Sequence, residues 1–371
     1  MSYITAIGTA NPAHRFSQSI IADFMLRAMK LNNGDDRKLK TIFRSSGIEY
    51  RYSVLEDYGK LKGFTFYPDT NDLEPFPRTE KRLQIFRDNA LALSVASFKD
   101  MVKAYPSFKS ADITHLIVVC CTGMYAPGLD IDLVNALNLS STVQRTAINF
   151  MGCHASFNAL KIADALCRSN PQAKVLIVCT ELCSLHFQRA ANNDNLLANA
   201  LFADGSAAVL VEALTRSPLK LKLEEFHSDL AREGLSEMAW TIGDMGFEMR
   251  LSSYVPDLIK KGIGSLANSL LEKVSANLSD IRYFAIHPGG KKILQVIEDE
   301  LKIDKSKNRA AYNVLKNYGN MSSPTVLFVL KEIVMKLNGE DEGERVLSFA
   351  FGPGLTLESM ILKIENSSHH A

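Results

Sequence analysis

The chain has 371 residues, 46% hydrophobic and 22% charged, which is the composition of an ordinary globular protein. Lys and Arg number 42 and Asp and Glu 41, and this net charge of +1 argues against nucleic-acid binding and against a polybasic membrane protein. No apolar run approaches the roughly 18 residues that span a bilayer, and the N-terminus lacks a signal-peptide pattern. We therefore expect a cytoplasmic protein without integral membrane association.

Short β-branched apolar runs alternate with helical patterns along the chain. The predicted strands are THLIVVCC (114–121), KVLIVCTE (174–181), AAVLVEA (207–213), RYFAIHP (282–288) and RVLSFAFGPG (345–354). Helical patterns cover Ala155 to Cys167 and Thr325 to Leu337. Because continuous apolar runs are typical of strands buried on both faces, the alternation predicts an α/β fold.

The six cysteines show no paired spacing of the kind that binds zinc. They are Cys120, Cys121, Cys153, Cys167, Cys179 and Cys183. In a cytosolic protein of this size we expect neither disulfides nor a metal site.

Similar segments recur at a nearly constant offset. ADITHLIVVCCTG is similar to SDIRYFAIHPGGK, with Asp112 and Asp280 lying 168 positions apart. At the same offset NFMGCHASFNALKIADAL, from Asn149, aligns with NYGNMSSPTVLFVLKEIV, from Asn317. KVLIVCTEL aligns with RVLSFAFGP at an offset near 171. Three matches in the same order predict a duplicated fold whose halves share one core.

A duplicated fold predicts a site at the junction of its halves, built from the ends of equivalent elements. The first half contributes Cys153 at the start of a helical pattern, and the second contributes His287 after a strand and Asn320 before a helix. A cysteine at a helix N-terminus is exposed to the positive end of the dipole, which favours the thiolate. The same backbone N–H groups can hold the oxyanion of an attacked thioester.

The chemistry of this trio indicates acyl transfer with carbon–carbon bond formation. His287 can donate to an enolate oxygen and can stabilise the thiolate. Asn320 is a neutral donor, which stabilises an enolate without protonating its carbon. A papain-like hydrolase also uses Cys, His and Asn, but its local signature around the cysteine and its fold pattern are absent.

At these residues the chain resembles the type III polyketide synthases, the chalcone synthase family, on the thiolase fold. The similar segments are AIGTANP at Ala6, GC at Gly152, LFADGSAAVL at Leu201, HPGG at His287, YGNMSS at Tyr318 and FGPGLTLE at Phe351. Ketoacyl-carrier-protein synthase III enzymes share the fold and the trio but normally not the FGPG and NMSS combination.

The resemblance implies a thiolase-like duplicated α/β fold, layered αβαβα, with halves 1–225 and 226–371. It implies that Cys153 holds an acyl starter while His287 and Asn320 bind the enolate formed by decarboxylation of malonyl-CoA. The chain would lengthen over a few cycles and then cyclise. Coenzyme A thioesters would be the substrates, with no metal or redox cofactor, and the family forms homodimers.

The resemblance also assigns residues to the substrate pocket, with Phe202 as a gatekeeper. The other pocket positions are Cys121, Thr122, Ala126, Cys183, His186, Met249, Ser322, Gly352 and Pro353. Ala126 stands where plant enzymes have methionine and Cys183 where they have threonine, so both predict a tunnel for a long acyl chain. His186 is bulky and polar and departs from the patterns of both the plant enzymes and the tunnel-forming enzymes.

Coenzyme A would bind beside a basic helix, RKLKTIFR, and a glycine pair. The residues that this comparison implies are Lys38, Lys40, Arg44, Gly289 and Gly290. Thr41 and Ser45 fall where chalcone synthases carry basic residues, so the contacts with the phosphates differ in part.

The favoured product is of the alkylpyrone or alkylresorcinol type, made from a fatty-acyl starter. Cys121 with Cys183 also resembles tetrahydroxynaphthalene synthases, which use malonyl units throughout. Two other hypotheses are a synthase III-like enzyme that takes acyl-carrier-protein substrates and a catalytically silent scaffold protein. The silent scaffold is disfavoured because Cys153, His287 and Asn320 are all present.

Overall fold

A computed structural model of the chain describes residues 1–31, 33–70, 73–215 and 217–366. The strands are β1 (Tyr3–Ala10), β2 (His14–Ser17), β3 (Tyr50–Ser53), β4 (His115–Cys120), β5 (Gln144–Asn149), β6 (Lys174–Leu182), β7 (Asp204–Glu212), β8 (Leu219–Leu230), β9 (Met238–Gly243), β10 (Gly246–Leu251), β11 (Ile281–Ile286), β12 (Arg345–Gly352) and β13 (Thr356–Asn366). The helices are α1 (Gln18–Met29), α2 (Asn33–Ser45), α3 (Thr79–Ala104), α4 (Leu129–Ala136), α5 (Ala155–Ser169), α6 (Asn193–Leu201), α7 (Val255–Lys273), α8 (Lys291–Leu301), α9 (Arg309–Tyr318) and α10 (Thr325–Val334).

The large sheet repeats one strand order, which confirms the duplicated fold. Its order is β11-β12-β13-β8-β1-β7-β6-β4-β5. Within it, β4-β6-β7-β1 corresponds to β11-β12-β13-β8, because each set has one parallel pair followed by two antiparallel pairs. The halves join where β1 pairs with β8.

The equivalent segments begin alike. A 3₁₀ turn, Ser110–Asp112, precedes β4, and a second one, Leu278–Asp280, precedes β11. The predicted division at 225/226 falls inside β8, which pairs with β1 on one side and with β13 on the other. The last five residues of the predicted second half, 367–371, lie outside the described ranges.

Strand β4 shows why the predicted strands are apolar throughout. Its residues Leu116 and Val118 pack into the core on the side of α3, while Ile117 and Val119 pack into the core on the side of α5. Successive side chains of a strand point to opposite faces, so a strand covered on both faces needs apolar residues at every position.

The helices form three layers around the two halves of the sheet. Helix α3 packs on β1, β6 and β7, and α7 packs on β8 and β13. Helices α5 and α10 each contact strands of both halves and form the central layer of the αβαβα arrangement. The N-termini of α5 and α10 thus meet near the junction, where the sequence predicts the site.

Among the described residues, no helix combines the length and the apolar character that a bilayer span requires. All six cysteines are free thiols.

Candidate active site

A cavity lies at the junction of the two halves, and Cys153, His287 and Asn320 all line it. Cys153 belongs to the first half, and His287 and Asn320 belong to the second. The three side chains that the sequence singles out thus share one cavity.

Cys153 is presented by a tight turn ahead of α5. Phe150 and Gly152 have φ values of 58° and 73°, and the 3₁₀ turn Gly152–His154 leads directly into the helix. A Cβ on Gly152 would lie 2.4 Å from Pro353 Cδ, so only glycine fits there. The sulfur consequently lies half-buried at the N-terminal end of α5.

The side-chain amide of Asn320 faces the sulfur, with Oδ1 and Nδ2 both 3.9 Å from Cys153 Sγ. Its Oδ1 accepts a hydrogen bond of 2.8 Å from the N–H of Ser322, a residue with φ of 61°. Its Nδ2 lies 3.9 Å from Cys153 Sγ and 3.4 Å from the carbonyl oxygen of Gly289. The helix that follows begins only at Thr325, so the side chain is not a cap of that helix.

His287 follows β11 and is fixed by its backbone, whose N–H donates to Phe349 O at 2.8 Å. Its imidazole is 1% exposed. Burial, and secondarily the proximity of His154, lower the pKa of His287 to about 3. The ring is therefore neutral at physiological pH.

The thiol of Cys153 does not show the lowered pKa that its place at a helix N-terminus predicts. Burial raises its pKa to about 11, and the nearby Glu181 carboxylate adds to the rise. Hydrogen bonds from Ser322 and Asn320 act in the opposite direction because they stabilise the thiolate. Burial and these hydrogen bonds thus act on the thiolate in opposite directions.

Glu181, which was not predicted from the sequence, is a buried residue whose carboxylate accepts hydrogen bonds from two loops of the site. Its Oε2 accepts from Thr122 Oγ1 at 2.7 Å and from the N–H of Cys121 at 2.9 Å. Its Oε1 accepts from Ser323 Oγ at 2.6 Å. Burial raises the pKa of Glu181 to about 7. A glutamate inside the apolar run KVLIVCTEL was the signal that could have revealed it.

A second chamber of about 530 Å³ adjoins the catalytic cavity. Four side chains line both spaces and form the wall between them: Cys183, Phe202, Trp240 and Met249. Trp240, which the sequence analysis did not single out, donates from Nε1 to Cys121 O at 2.7 Å. It lies on β9, in the hairpin formed with β10.

Most of the predicted pocket residues line the catalytic cavity, and three do not. The ones that do are Phe202, Cys121, Thr122, Cys183, Met249, Ser322 and Pro353. Ala126 lies exposed in the loop after β4 and does not line this cavity. Gly352 is buried but packs against the imidazole of His154 instead of lining the cavity.

His186 lines the second chamber rather than the catalytic cavity. Its Nε2 donates to Thr122 O at 2.7 Å, and its Nδ1 accepts from the N–H of Phe247 at 2.9 Å. The ring stacks on Phe247 with centroids 4.3 Å apart. Both nitrogens are engaged, so His186 supports the chamber wall as a neutral ring.

The predicted coenzyme A residues lie in two places. Lys38, Lys40 and Arg44 are exposed on α2, where Lys38 donates to Asn193 and the other two border a separate surface cavity of about 580 Å³. Gly289 lines the catalytic cavity, and Gly290 precedes α8.

Comparison with known proteins covers almost the whole chain. The family models for chalcone and stilbene synthases match residues 1–214 with the N-terminal domain and 226–365 with the C-terminal domain. The "Alpha-pyrone synthesis polyketide synthase-like Pks18" of Mycobacterium tuberculosis is 30% identical over 98% of this chain and 91% of that protein. "Probable polyketide synthase 1" of Dictyostelium discoideum is also 30% identical, but this chain spans only 11% of its length.

Solved structures agree with this assignment. PKS-I of the brown alga Ectocarpus siliculosus superimposes with a TM-score of 0.91 at 29% identity and covers 98% of both chains. The 1,3,6,8-tetrahydroxynaphthalene synthase of Streptomyces coelicolor gives a TM-score of 0.88 at 25% identity, over 98% of this chain and 99% of that one. The chain belongs to the chalcone and stilbene synthase family and is a type III polyketide synthase, an acyltransferase that forms carbon–carbon bonds by Claisen condensation.

Proposed function

We propose that the protein extends an acyl-CoA starter held on Cys153 by iterative decarboxylative condensation with malonyl-CoA, and then cyclises the product. The observation that carries this proposal is that Cys153, His287 and Asn320 line one cavity, with the side-chain amide of Asn320 3.9 Å from the sulfur. A nucleophile and two neutral hydrogen-bond donors at one substrate are what loading and condensation need.

Loading begins with the thiol of Cys153. His287 lines the same cavity as the thiol, and it accepts the thiol proton as the sulfur attacks the thioester carbonyl of the starter. The bond from that carbonyl to the sulfur of coenzyme A breaks, and the departing thiolate takes the proton from the imidazolium. Cys153 is left acylated, and His287 is neutral again.

Condensation uses the same two donors. Malonyl-CoA loses CO₂, and the electron pair of the broken bond forms an enolate whose oxygen accepts from Asn320 Nδ2 and from the N–H of His287. Because both donors are neutral, they stabilise the enolate without supplying a proton to its carbon. That carbon attacks the acyl group on Cys153 and expels the thiolate, which is ready to accept the lengthened chain.

We favour a fatty-acyl starter and a product of the alkylpyrone or alkylresorcinol type. Cys183 is small and lies in the wall between the catalytic cavity and the second chamber, so an alkyl chain could extend past it. In that chamber Ser184 and Asn199 make hydrogen bonds of their own, whereas Arg51 Nη2 has no partner among the described residues. The name of the mycobacterial relative, an alpha-pyrone synthesis protein, supports this product class.

The alternative is a synthase that uses malonyl units throughout. The Streptomyces structure is named a tetrahydroxynaphthalene synthase, and Cys121 and Cys183 both line the cavity here. Delivery of substrate by an acyl-carrier protein, as in ketoacyl-carrier-protein synthase III, is a further possibility that the product assay below separates.

Coenzyme A is proposed to bind with its phosphates near α2 and its thioester near Gly289. Lys38, Lys40 and Arg44 are exposed and cationic, as phosphate contacts must be. We propose a cytoplasmic homodimer without metal or redox cofactor, on the resemblance to the family alone.

The test is a product assay with malonyl-CoA and a series of short, medium and long acyl-CoA starters, read by mass spectrometry. Cys153→Ala is expected to abolish extension of every starter. Cys167→Ala is the matched control, since Cys167 is also on the first half but is buried in the core of α5. Elongation by a clean Cys153→Ala preparation, or products formed only from carrier-protein substrates, would contradict the proposal.

A further inference from the structure

Arg51 on β3 is a buried arginine that lines the second chamber and that the mechanism above does not use. Its side chain belongs to a residue that is 4% exposed. Its Nε donates to Gln18 Oε1 at 2.8 Å, and its Nη1 donates to the carbonyl oxygen of Phe202 at 2.6 Å. Its Nη2 is also buried but has no hydrogen-bond partner within the described ranges. Buried donors are nearly always partnered, and a charged one is costly to leave alone, so Nη2 requires an acceptor.

The guanidinium of Arg51 is held in one orientation. A Cβ on Gly319 would lie 2.9 Å from Arg51 Cγ and 3.0 Å from Cδ, so the side-chain stem packs directly on that glycine. The hydrogen bonds of Nε and Nη1 fix the plane of the group, because its N–H donors form a rigid fork. The free nitrogen is thus anchored through Phe202, which lies in the wall shared with the catalytic cavity.

Other polar side chains of this chamber have partners. The hydroxyls of Ser53 and Ser184 lie 2.7 Å apart and bond to each other, and Tyr58 donates to the carbonyl oxygen of Ser184 at 2.7 Å. Both ring nitrogens of His186 are engaged. Of the buried side-chain nitrogen and oxygen atoms that lack a partner among the described residues, only Arg51 Nη2 belongs to a residue that lines this chamber. Whatever occupies the chamber therefore meets one fixed donor.

The charges around Arg51 indicate that this acceptor is a neutral oxygen rather than a carboxylate. Burial lowers the pKa of Arg51 to about 10, so the guanidinium remains a cation at neutral pH. Asp204, two residues after Phe202, is fully buried and interacts with this cation. Its carboxylate accepts from the N–H groups of Val54 and Ser184, both at 2.8 Å. A second carboxylate would add an unbalanced buried charge, whereas a hydroxyl or ketone oxygen would not.

We propose that the second chamber binds an acyl starter whose distal part carries a neutral oxygen, a hydroxyl or a ketone, that accepts a hydrogen bond from Arg51 Nη2. This inference rests on the proposed function, in which Cys153 holds the starter, and it narrows the starter class to oxygenated fatty-acyl chains. The chamber and the catalytic cavity share Phe202 and Cys183, so a chain attached to the sulfur reaches Arg51 past these side chains. An unsubstituted chain would displace water from Nη2 without replacing its hydrogen bond.

The test compares medium-chain acyl-CoA starters of equal length that carry no oxygen, a hydroxyl, a ketone or a carboxylate at successive positions along the chain. Their dissociation constants are measured by calorimetry with the Cys153→Ala protein, which binds the thioester without consuming it. At the position that reaches Arg51, we expect the hydroxylated or oxo starter to bind about tenfold or more tightly than the unsubstituted one. Equal affinity at every position, or a preference for the carboxylate, would overturn the inference.

Arg51→Lys, added to the same Cys153→Ala protein, assigns the preference to this side chain. Lysine keeps the cation but ends short of the position of Nη2. The ratio of the two affinities should therefore fall toward one, whereas a purely structural role would weaken both starters alike. Arg82→Lys is the matched control, because Arg82 is also a buried arginine whose Nη2 lacks a partner in the described part of the chain, but it does not line the chamber. It should leave the ratio unchanged.

An unchanged ratio in a folded Arg51→Lys protein would also overturn the inference. If that variant does not fold, the affinities of the Cys153→Ala protein for the starter series still decide whether the chamber selects an oxygen. If wild-type protein makes no polyketide from malonyl-CoA and any starter, the proposed function fails, while these affinities, which involve no chemical step, still decide the role of the chamber.

Discussion

Ser322 and Asn320 are the two residues that counteract the effect of burial on the thiol of Cys153. Burial raises the pKa of that thiol to about 11, and the hydrogen bonds of these side chains lower it. Loss of either side chain should therefore raise the pKa of Cys153 further and reduce the fraction of thiolate at any pH below that pKa.

For Ser322→Ala we expect slower alkylation of Cys153 by iodoacetamide at pH 8, by roughly tenfold or more, since one hydrogen bond to a charged group is lost. Mass spectrometry of the labelled peptide gives the rate. Ser323→Ala is the matched control, because the hydroxyl of Ser323 donates to Glu181 instead of the sulfur. Equal slowing in both variants would show that Ser322 does not act on the thiolate.

At the scale of single residues, the sequence could predict which residues form the candidate site and on which elements they lie, but not their pKa values. Cys153, His287 and Asn320 each stand where a strand or loop ends, and short motifs mark all three. The pKa of Cys153 depends on burial and on Glu181, and these come from segments distant along the chain. The exposure of Ala126 could not be predicted for a related reason, since its neighbours in sequence do not reveal that the loop after β4 lies at the surface.

At the scale of elements, the β9–β10 hairpin closes one side of the catalytic cavity. Trp240 on β9 and Met249 on β10 pair across the hairpin and belong to the wall shared with the second chamber. Trp240 packs edge-on against His186 and Phe247 at 5.8 and 6.0 Å. The buried strands of the large sheet were predictable from their continuous apolar runs, but this half-exposed hairpin carries no such pattern, so Trp240 was missed.

Trp240→Ala should join the catalytic cavity to the second chamber. We expect the preferred acyl-CoA starter to become longer, because the alkyl chain gains the space that the indole occupied. The comparison is the distribution of products from a starter series, read by mass spectrometry. Ile242→Ala is the matched control, since Ile242 lies two residues along the same strand and is 59% exposed. An unchanged starter preference in Trp240→Ala would exclude the indole as the partition.

At the scale of the whole molecule, duplication explains why the active site lies between two halves. The order β4-β6-β7-β1 recurs as β11-β12-β13-β8, so the ends of equivalent strands and the starts of α5 and α10 converge on one place. This much was predictable from repeats in a single sequence. A sequence repeat cannot show how the two halves are positioned relative to each other, because that depends on contacts between the halves that are not themselves repeated.

Glu181 makes such a contact. Its carboxylate accepts hydrogen bonds from Cys121 and Thr122 in the first half and from Ser323 in the second. Burial raises its pKa to about 7, above that of the unfolded chain. The folded protein therefore keeps a proton that the unfolded chain has already lost, and the free energy of unfolding should fall as the pH rises from about 5 to about 8.

Glu181→Gln removes this titration while keeping a side chain of the same shape. Relative to the variant, wild-type protein should lose stability as the pH rises over that interval, as measured by the denaturant midpoint at each pH. Asp204, whose pKa burial raises to about 6, is present in both proteins, so its contribution cancels from the difference. A difference that stays constant with pH would mean that Glu181 is ionised at the same pH in the folded and unfolded chains.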